Sequence, residues 1–502
     1  MKLFLGALCS AGVLVFLIVA SGSNEAGTGD AELRLIVTQV PTGGLDAQWS
    51  QGAALSTRYP SGSRIVLVEP GAEREGVVRV LSEGLDAAGA PSLSPLGDQV
   101  LFAGRARPDS SWCIYEAALT GGGPEQRVEV SGDCGDPAYL PGGEMIFVVN
   151  GDDDDPAGGS FLCKASSEGE DVQRVTFGPG MPSHPTVLRD GRVLFSMQAD
   201  PDGALLATDE PALFTVNPDG TMIEPFTGLH DELGVELRAR QTAGNRILFL
   251  AGADASSPQT IAWVDFARPM AGRGGLEATI AEGPSTLDVT SVEPFQEGSL
   301  VVTGRASSST AKQTSGAYLI APEDEQAQTL FDDPQWNEVE ALVVTERLRP
   351  RARPSSIAAE KMGTLVCYDA ASSDGVHGPL AGAPPPVEVS VETSASAAEL
   401  AGIASERVVQ VEPGIVELGR VAVAPDNSFF VRVPADVPLR VRSFDSGSQL
   451  ISTSGWFWIR PGETRACFGC HERRDTAPPN RIIQAIAQPP QELGATSGEA
   501  AE

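Results

Sequence analysis

Pro91-Ser92-Leu93-Ser94-Pro95-Leu96-Gly97-Asp98-Gln99-Val100-Leu101-Phe102 recurs as Pro137-Ala138-Tyr139-Leu140-Pro141-Gly142-Gly143-Glu144-Met145-Ile146-Phe147. It recurs again as Pro185-Thr186-Val187-Leu188-Arg189-Asp190-Gly191-Arg192-Val193-Leu194-Phe195. Each copy is a short strand, a turn built from Pro, Asp and Gly, and a second apolar strand. The turn residues supply the backbone angles of a tight hairpin, and the flanking alternation supplies the strands. Weaker copies stand at Leu237–Phe249 and Val289–Val302. Third strands follow at Cys113–Ala118, Phe161–Ala165 and Leu213–Val216, the last entering the turn Asn217-Pro218-Asp219-Gly220-Thr221. The spacing of about 46 to 53 residues is that of a four-stranded blade. One blade cannot bury both of its faces, so several must stack about an axis. An early unit at Arg64–Leu81, five clear copies and a closing strand at Ala341–Arg347 predict six blades, with seven the alternative.

The fold class expected is therefore all-β. A propeller spans residues 24–346, and a small antiparallel sandwich or barrel spans 363–481. Between them, residues 347–362 are basic and Pro-rich (Arg347, Arg349, Arg351, Arg353) and read as a linker. In the second region Gly363–Tyr368, Val387–Val391, Arg407–Val411, Gly419–Val423, Ser428–Val433, Leu439–Phe444 and Trp456–Arg460 read as strands. Pro425-Asp426-Asn427 and Asp445-Ser446-Gly447 read as hairpin turns. Residues 482–502 are rich in Ala, Gln, Pro and Glu and read as a disordered tail, with a short helix at Ile482–Ile486 the alternative.

The 502 residues carry a net charge of −32, with 41% hydrophobic and 20% charged residues. Nucleic acid is excluded as a partner by that charge, since phosphate binding needs a basic face. Lys2, an apolar run from Leu3 to Ala20 and small residues from Ala20 to Ser23 read as an export signal over residues 1–23. Retention of residues 3–20 as an anchor is the alternative, and no other segment is apolar enough to cross a bilayer. A periplasmic or extracellular location is expected. Cys113 and Cys134 are a candidate disulfide, leaving Cys163 and Cys367 over, although connectivity cannot be read from sequence.

Cys467-Phe468-Gly469-Cys470-His471 has the form of a c-type haem attachment motif. Two thiols on a tight turn reach the two vinyl groups, and the adjacent imidazole of His471 rises under the iron as proximal ligand. A CxxC redox pair lacks its thioredoxin-like context here, and a zinc site lacks a second Cys/His pair. His184 and His377 are the candidate sixth ligands. His230, Met181, Met197 and Met362 are weaker ones, and an open sixth position is an equal alternative. Trp456 and Trp458 share a face by period two and read as sandwich core. The run Asp152–Asp155 reads as a solvated loop rather than a calcium site.

Pro461-Gly462-Glu463-Thr464-Arg465 leads into the motif and Glu472 leaves it. Upstream lie Pro425-Asp426-Asn427-Ser428-Phe429-Phe430-Val431-Arg432-Val433-Pro434 and Phe444-Asp445. The Pro, Ser/Asp, Gly pattern of the repeat resembles that of TolB-like propellers, and residues 363–478 resemble the middle domain of the hydrazine synthase alpha subunit family, in which a propeller precedes a β domain ending in such a motif. The resemblance implies one covalent haem c on Cys467, Cys470 and His471, facing the propeller. It does not imply hydrazine synthesis. The family's further domain with a second haem has no counterpart in this chain, and Asp475 stands where the family's tyrosine ligand is expected. Electron transfer or small-ligand redox chemistry is the function expected, with a redox partner or small molecule unspecified. A haem redox enzyme with an open coordination site and a propeller-based scaffold with a structural haem are the alternatives.

Overall fold

The computed structural model describes residues 33–42, 59–69, 77–151, 159–199, 211–227, 234–254, 257, 259–276, 279–280, 286–306, 314–321, 326–372, 384–403, 408–469 and 480–493. Residues 1–23, Asp152–Asp155, His230, His377, Cys470, His471 and Asp475 lie outside them. No helix among the described residues is long and apolar enough to cross a membrane.

Among the described residues, six mainly antiparallel sheets follow the repeat. Blade II is Ala87–Leu93, Gln99–Arg105, Trp112–Ala118 and Glu125–Val128. Blade III runs from Asp133–Tyr139 to Gln173–Arg174, and blade IV from Gly180–Val187 to Glu224–Pro225. Blade V runs from Val235–Gln241 to Arg268–Leu276, and blade VI from Leu287–Pro294 to Gln326–Phe331, where Thr279–Ile280 adds a short parallel edge. Blade I is composite. Its innermost strand is Trp336–Val343, from the far end of the propeller sequence, paired antiparallel with Leu35–Pro41 and followed by Arg64–Glu69 and Val77–Val80. The closing strand was expected at Ala341–Arg347. It begins earlier, and the expected first unit lacked Leu35–Pro41. Each innermost strand packs on the next blade, and the strands of blade VI pack on Trp336–Val343, which closes the ring.

The repeat explains the core. Phe102, Phe147, Phe195 and Phe249 hold equivalent places in successive second strands, and all are fully buried. The cysteines of the propeller divide between layers. Cys113 packs with Ile36, Phe102 and Tyr115 between blades I and II, whereas Cys134 and Cys163 pack with Leu101, Ile114 and Phe147 between blades II and III. The candidate Cys113–Cys134 disulfide is not formed: alternation along its strand turns Cys113 to the side of blade I, and it is the neighbouring Ile114 that faces the layer holding Cys134. Burial raises the pKa of Cys113 and Cys134 and pushes that of Cys163 up to about 12, so all three remain thiols.

The second domain is a sandwich of a five-stranded and a three-stranded sheet. The larger has Glu388–Ser394 at its centre, between Ile415–Ala422 and Arg440–Phe444, with Val409–Glu412 and Leu450–Thr453 at the edges. The smaller has Met362–Cys367 between Phe429–Pro434 and Thr464–Cys467. It departs from the expected all-antiparallel arrangement, since Met362–Cys367 and Thr464–Cys467 run parallel. A helical turn at Ala395–Leu400, capped by the Ser394 hydroxyl, was not foreseen. Trp456–Arg460 is not a strand, and of it Phe457 alone forms a bridge, to Leu439. The tail is packed as far as Leu493, contrary to the expectation of disorder from residue 482. Gln491 accepts a hydrogen bond from Arg432 N and donates to Phe430 O, and a single 3-10 turn spans Ala485–Ala487.

Candidate functional site

Two places concentrate polar chemistry: the propeller axis and the end of the sandwich that carries Cys467.

At the axis the innermost strands share one irregularity. Ala90, Asp136, His184 and Arg238 each have positive φ, at 54°, 46°, 51° and 54°, and each sits in a register shift of its strand. Such bulges re-aim side chains and leave an unpaired N–H. The preceding blade supplies the acceptor in two cases. Glu340 Oε2 accepts from Ala90 N at 2.9 Å, and Asp136 Oδ2 accepts from His184 N at 2.8 Å. Glu340 also accepts from the hydroxyls of Thr38 (2.7 Å) and Tyr59 (2.9 Å) and pairs with the guanidinium of Arg238. One carboxylate thereby links blades I, II and V. Glu338 accepts from Gln39 Nε2 at 2.9 Å, and burial pushes its pKa up to about 8.

The linker expected at residues 347–362 crosses one mouth of the axis as a strap. Arg347 N donates to Pro95 O of blade II and its guanidinium pairs with Glu293 of blade VI. Arg351 N donates to Arg189 O, Arg353 to Asp190 O and Asn217 Oδ1, and Ser356 N to Asp219 Oδ2. Beneath it lies a depression of about 150 Å³ bordered by Pro91, Pro137, Pro185, Arg240, Arg347 and Pro350.

The strap delivers the sandwich to blades III and IV, where one continuous core crosses the domain boundary. Leu140, Val148, Val175, Phe195 and Val216 of the propeller belong to the same cluster as Val389, Val431 and Trp458. Trp458 is 1% exposed and its Nε1 donates to Gly220 O at 2.8 Å. Gly220 has φ +86°, and a Cβ there would stand 2.5 Å from Val175 O. Glu463 accepts from Met222 N of the propeller (2.9 Å) and from Arg460 N (2.8 Å). Arg460 lies over Phe177 and pairs with Asp436 at 3.2 Å. Burial raises the pKa of Glu463 and Asp436 and lowers that of Arg460. Trp458 is thus core as expected, but core of the interface, while Trp456 is half-buried beside Arg440.

Cys467 is the last residue of its strand and is half-buried. Its carbonyl accepts from Tyr368 N at 2.8 Å, and the Tyr368 and Phe468 rings lie 6.0 Å apart. Phe468 is 44% exposed. Arg481 stands over Tyr368 and exchanges hydrogen bonds with its hydroxyl through backbone N (2.8 Å) and O (3.0 Å). At Gly469 a Cβ would meet Ser372 O at 2.6 Å, so the chain leaves the strand hard against the loop after Met362–Cys367. Cys467 packs against the sandwich core and has Cys367 as its register neighbour. The sequence had left Cys367 over. Its place in a strand of the same domain was the one signal available.

His184 sits on the innermost strand of blade IV, and its Nδ1 lies 3.1 Å from Ser183 Oγ. The contacts described for it are within the propeller. Met197 is buried in the shared core and Met181 is partly exposed on the same blade IV strand as His184.

Residues 390–472 match the hydrazine synthase alpha subunit middle domain. The match begins in the central strand of the sandwich and ends just past Cys467–His471. Hydrazine synthase from Kuenenia stuttgartiensis has a similar structure, with a TM-score of 0.74 at 19% identity over 91% of this chain and 71% of that one. That likeness gives the hydrazine synthase alpha relation a fold-level counterpart, propeller and β domain together. TolB from Acinetobacter baumannii aligns at a TM-score of 0.45 and 15% identity, over 64% of this chain and 67% of that one. No curated protein matches the chain in sequence.

Proposed function

We propose that this chain is an exported protein carrying one covalent haem c on Cys467 and Cys470, with His471 as proximal ligand. The haem serves electron transfer or small-ligand redox chemistry, and the propeller acts as scaffold and docking surface. The observation that carries the reading is the coincidence of Cys467–His471 with the end of the segment matched by the hydrazine synthase alpha middle domain.

The surroundings of Cys467 suit an attached macrocycle. The thiol is half-buried at a strand end, the exposed ring of Phe468 follows it, and the apolar sandwich core lies behind it. When bound, haem supplies one-electron transfer and a position for a small ligand. The chain's own share is to hold the attachment thiol on a rigid strand, braced by Tyr368 and Arg481, next to a domain fixed to the propeller by Trp458 and Glu463. Hydrazine synthesis is not part of the proposal.

The test is the protein made with a c-type maturation system, denatured and extracted with acid acetone. Haem is expected to stay with the polypeptide, and Cys467→Ala or Cys470→Ala should each weaken its retention. Complete extraction from the unaltered chain refutes the proposal. Optical and EPR spectra then separate the roles, since six-coordinate low-spin iron points to electron transfer and five-coordinate high-spin iron to ligand chemistry.

A further inference from the structure

Met362–Cys367 and Thr464–Cys467 are parallel and in register: Thr364 faces Thr464, Leu365 faces Arg465, Val366 faces Ala466 and Cys367 faces Cys467. Register neighbours on adjacent strands point to the same side. The pairing three positions back shows how close such neighbours come, with Thr364 Oγ1 and Thr464 Oγ1 2.8 Å apart on the outer face. The alternation that turns Thr364 and Thr464 outward turns Cys367 and Cys467 inward. Cys367 is 1% exposed within the sandwich core, and Cys467 packs against that core from its edge. Adjacent strands lie about 4.8 Å apart, inside the Cα window of roughly 4.4–6.8 Å in which a disulfide closes, and closing it draws the two Cβ atoms to roughly 3.5–4.5 Å.

We infer that Cys367 belongs to the attachment site as a third cysteine, and that it forms a disulfide with Cys467 while no haem is attached. This rests on the haem reading only for its consequence, since the disulfide itself follows from strand register. The two thiols differ in access, which sets the order of events. Partly exposed Cys467 attacks an external protein or small-molecule disulfide, RS–SR, forming a mixed disulfide and releasing one RS⁻. Buried Cys367 then attacks the Cys467 sulfur and releases the second. The two thiols are oxidised by two electrons, the external disulfide is reduced to two thiols, and both protons pass to them. A thioether at Cys467 needs its thiol, whose sulfur bonds to a vinyl carbon while the hydrogen goes to the neighbouring carbon. The disulfide therefore protects Cys467 in an oxidising compartment and withholds it until reduction.

The chain is produced in an oxidising compartment without haem-attachment machinery and digested with trypsin under non-reducing conditions. Peptides 362–407 and 466–473 are expected to be joined. The link should persist in Cys470→Ser and disappear in Cys467→Ser. With the machinery present, Cys367→Ser should raise the haem-loaded fraction roughly twofold or more, because a competing oxidised form is removed. Cys367→Ala, which keeps the position apolar, should do the same, and far-UV circular dichroism confirms that each variant is folded. Absence of the joined peptides overturns the inference, as does a link that survives in Cys467→Ser. If the link forms but no variant retains haem through acid acetone, the disulfide stands and the attachment reading falls.

Discussion

Glu340→Ala should be among the most damaging single substitutions in the propeller. The side chains of Glu340 and its partner Arg238 are 5% and 12% exposed. Removing the carboxylate leaves the guanidinium buried without its counter-charge, which costs about 3–5 kcal/mol. The Ala90 N–H and the Tyr59 and Thr38 hydroxyls also lose their acceptor. An unsatisfied buried donor costs about 1–3 kcal/mol, but water entering the vacated volume recovers part of that. A net loss of roughly 4–7 kcal/mol is expected. Glu340→Gln keeps an acceptor for Ala90 and should lose less, about 3 kcal/mol, mainly the charge. Urea unfolding followed by circular dichroism and by tryptophan fluorescence measures the midpoint shift. Trp112 reports locally, because its ring lies 5.9 Å from that of Tyr59. Amide exchange should accelerate first in Leu35–Pro41 and Trp336–Val343, the strand pair that closes the ring and carries Glu340. Adding Arg238→Met to Glu340→Ala should restore part of the loss, since the stranded charge is then gone. A single-mutant loss under about 1 kcal/mol refutes the argument. So does a double mutant whose loss equals the sum of the singles.

Glu338 predicts a pH dependence of the same strand. Burial raises its folded pKa to about 8, above the ordinary glutamate value of 4.5, so between those two values the folded state holds a proton that the unfolded chain has released. This contribution is complete below pH 4.5 and is lost as the pH rises towards about 8. Asp332 and Asp333 add to the rise while Gln39 opposes it, and Glu338→Gln should flatten that part of the stability–pH curve. An unchanged slope counts against the assignment. Trp458→Ala removes a fully buried indole and its bond to Gly220 O, a loss of about 3–5 kcal/mol concentrated at the domain boundary. Calorimetry should then resolve two transitions, and trypsin should cut faster in the strap at Arg351, which is followed by Ala352, whereas Arg349 and Arg353 are each followed by a proline that blocks cleavage. Cleavage at the rate of the unaltered chain would show that the strap, rather than Trp458, holds the domains together.

Much of the architecture was readable because a propeller is a local, repeated solution. Each blade is a run of hairpins, and the Pro, Asp and Gly positions of the turns recur with the apolar strands. The two-residue outer strands, such as Glu224–Pro225, carry too little pattern to be read. Leu35–Pro41 was missed for another reason. It is buried almost throughout, and its pairing with Trp336–Val343 links residues about 300 positions apart, for which no local signal exists. Thr464–Cys467 was missed because it is four residues long and pairs parallel with a strand a hundred positions earlier.

The candidate site divides in the same way. Cys467-x-x-Cys470-His471 is a contiguous motif defined by residue type and spacing, so the sequence alone determined it, together with the blade repeat and the acidic charge. Which residues stand around it was decided by the tertiary structure. Parallel register brings Cys367 beside Cys467, and the turn at Gly220 receives Trp458. The strap makes a fixed crossing of what had read as a linker. Those juxtapositions join residues from about 100 to about 250 positions apart, and they exist because burying both faces of every sheet leaves the chain few ways to close. A motif can be carried by a few adjacent residues, whereas its neighbours are set by how the whole chain buries its apolar surface.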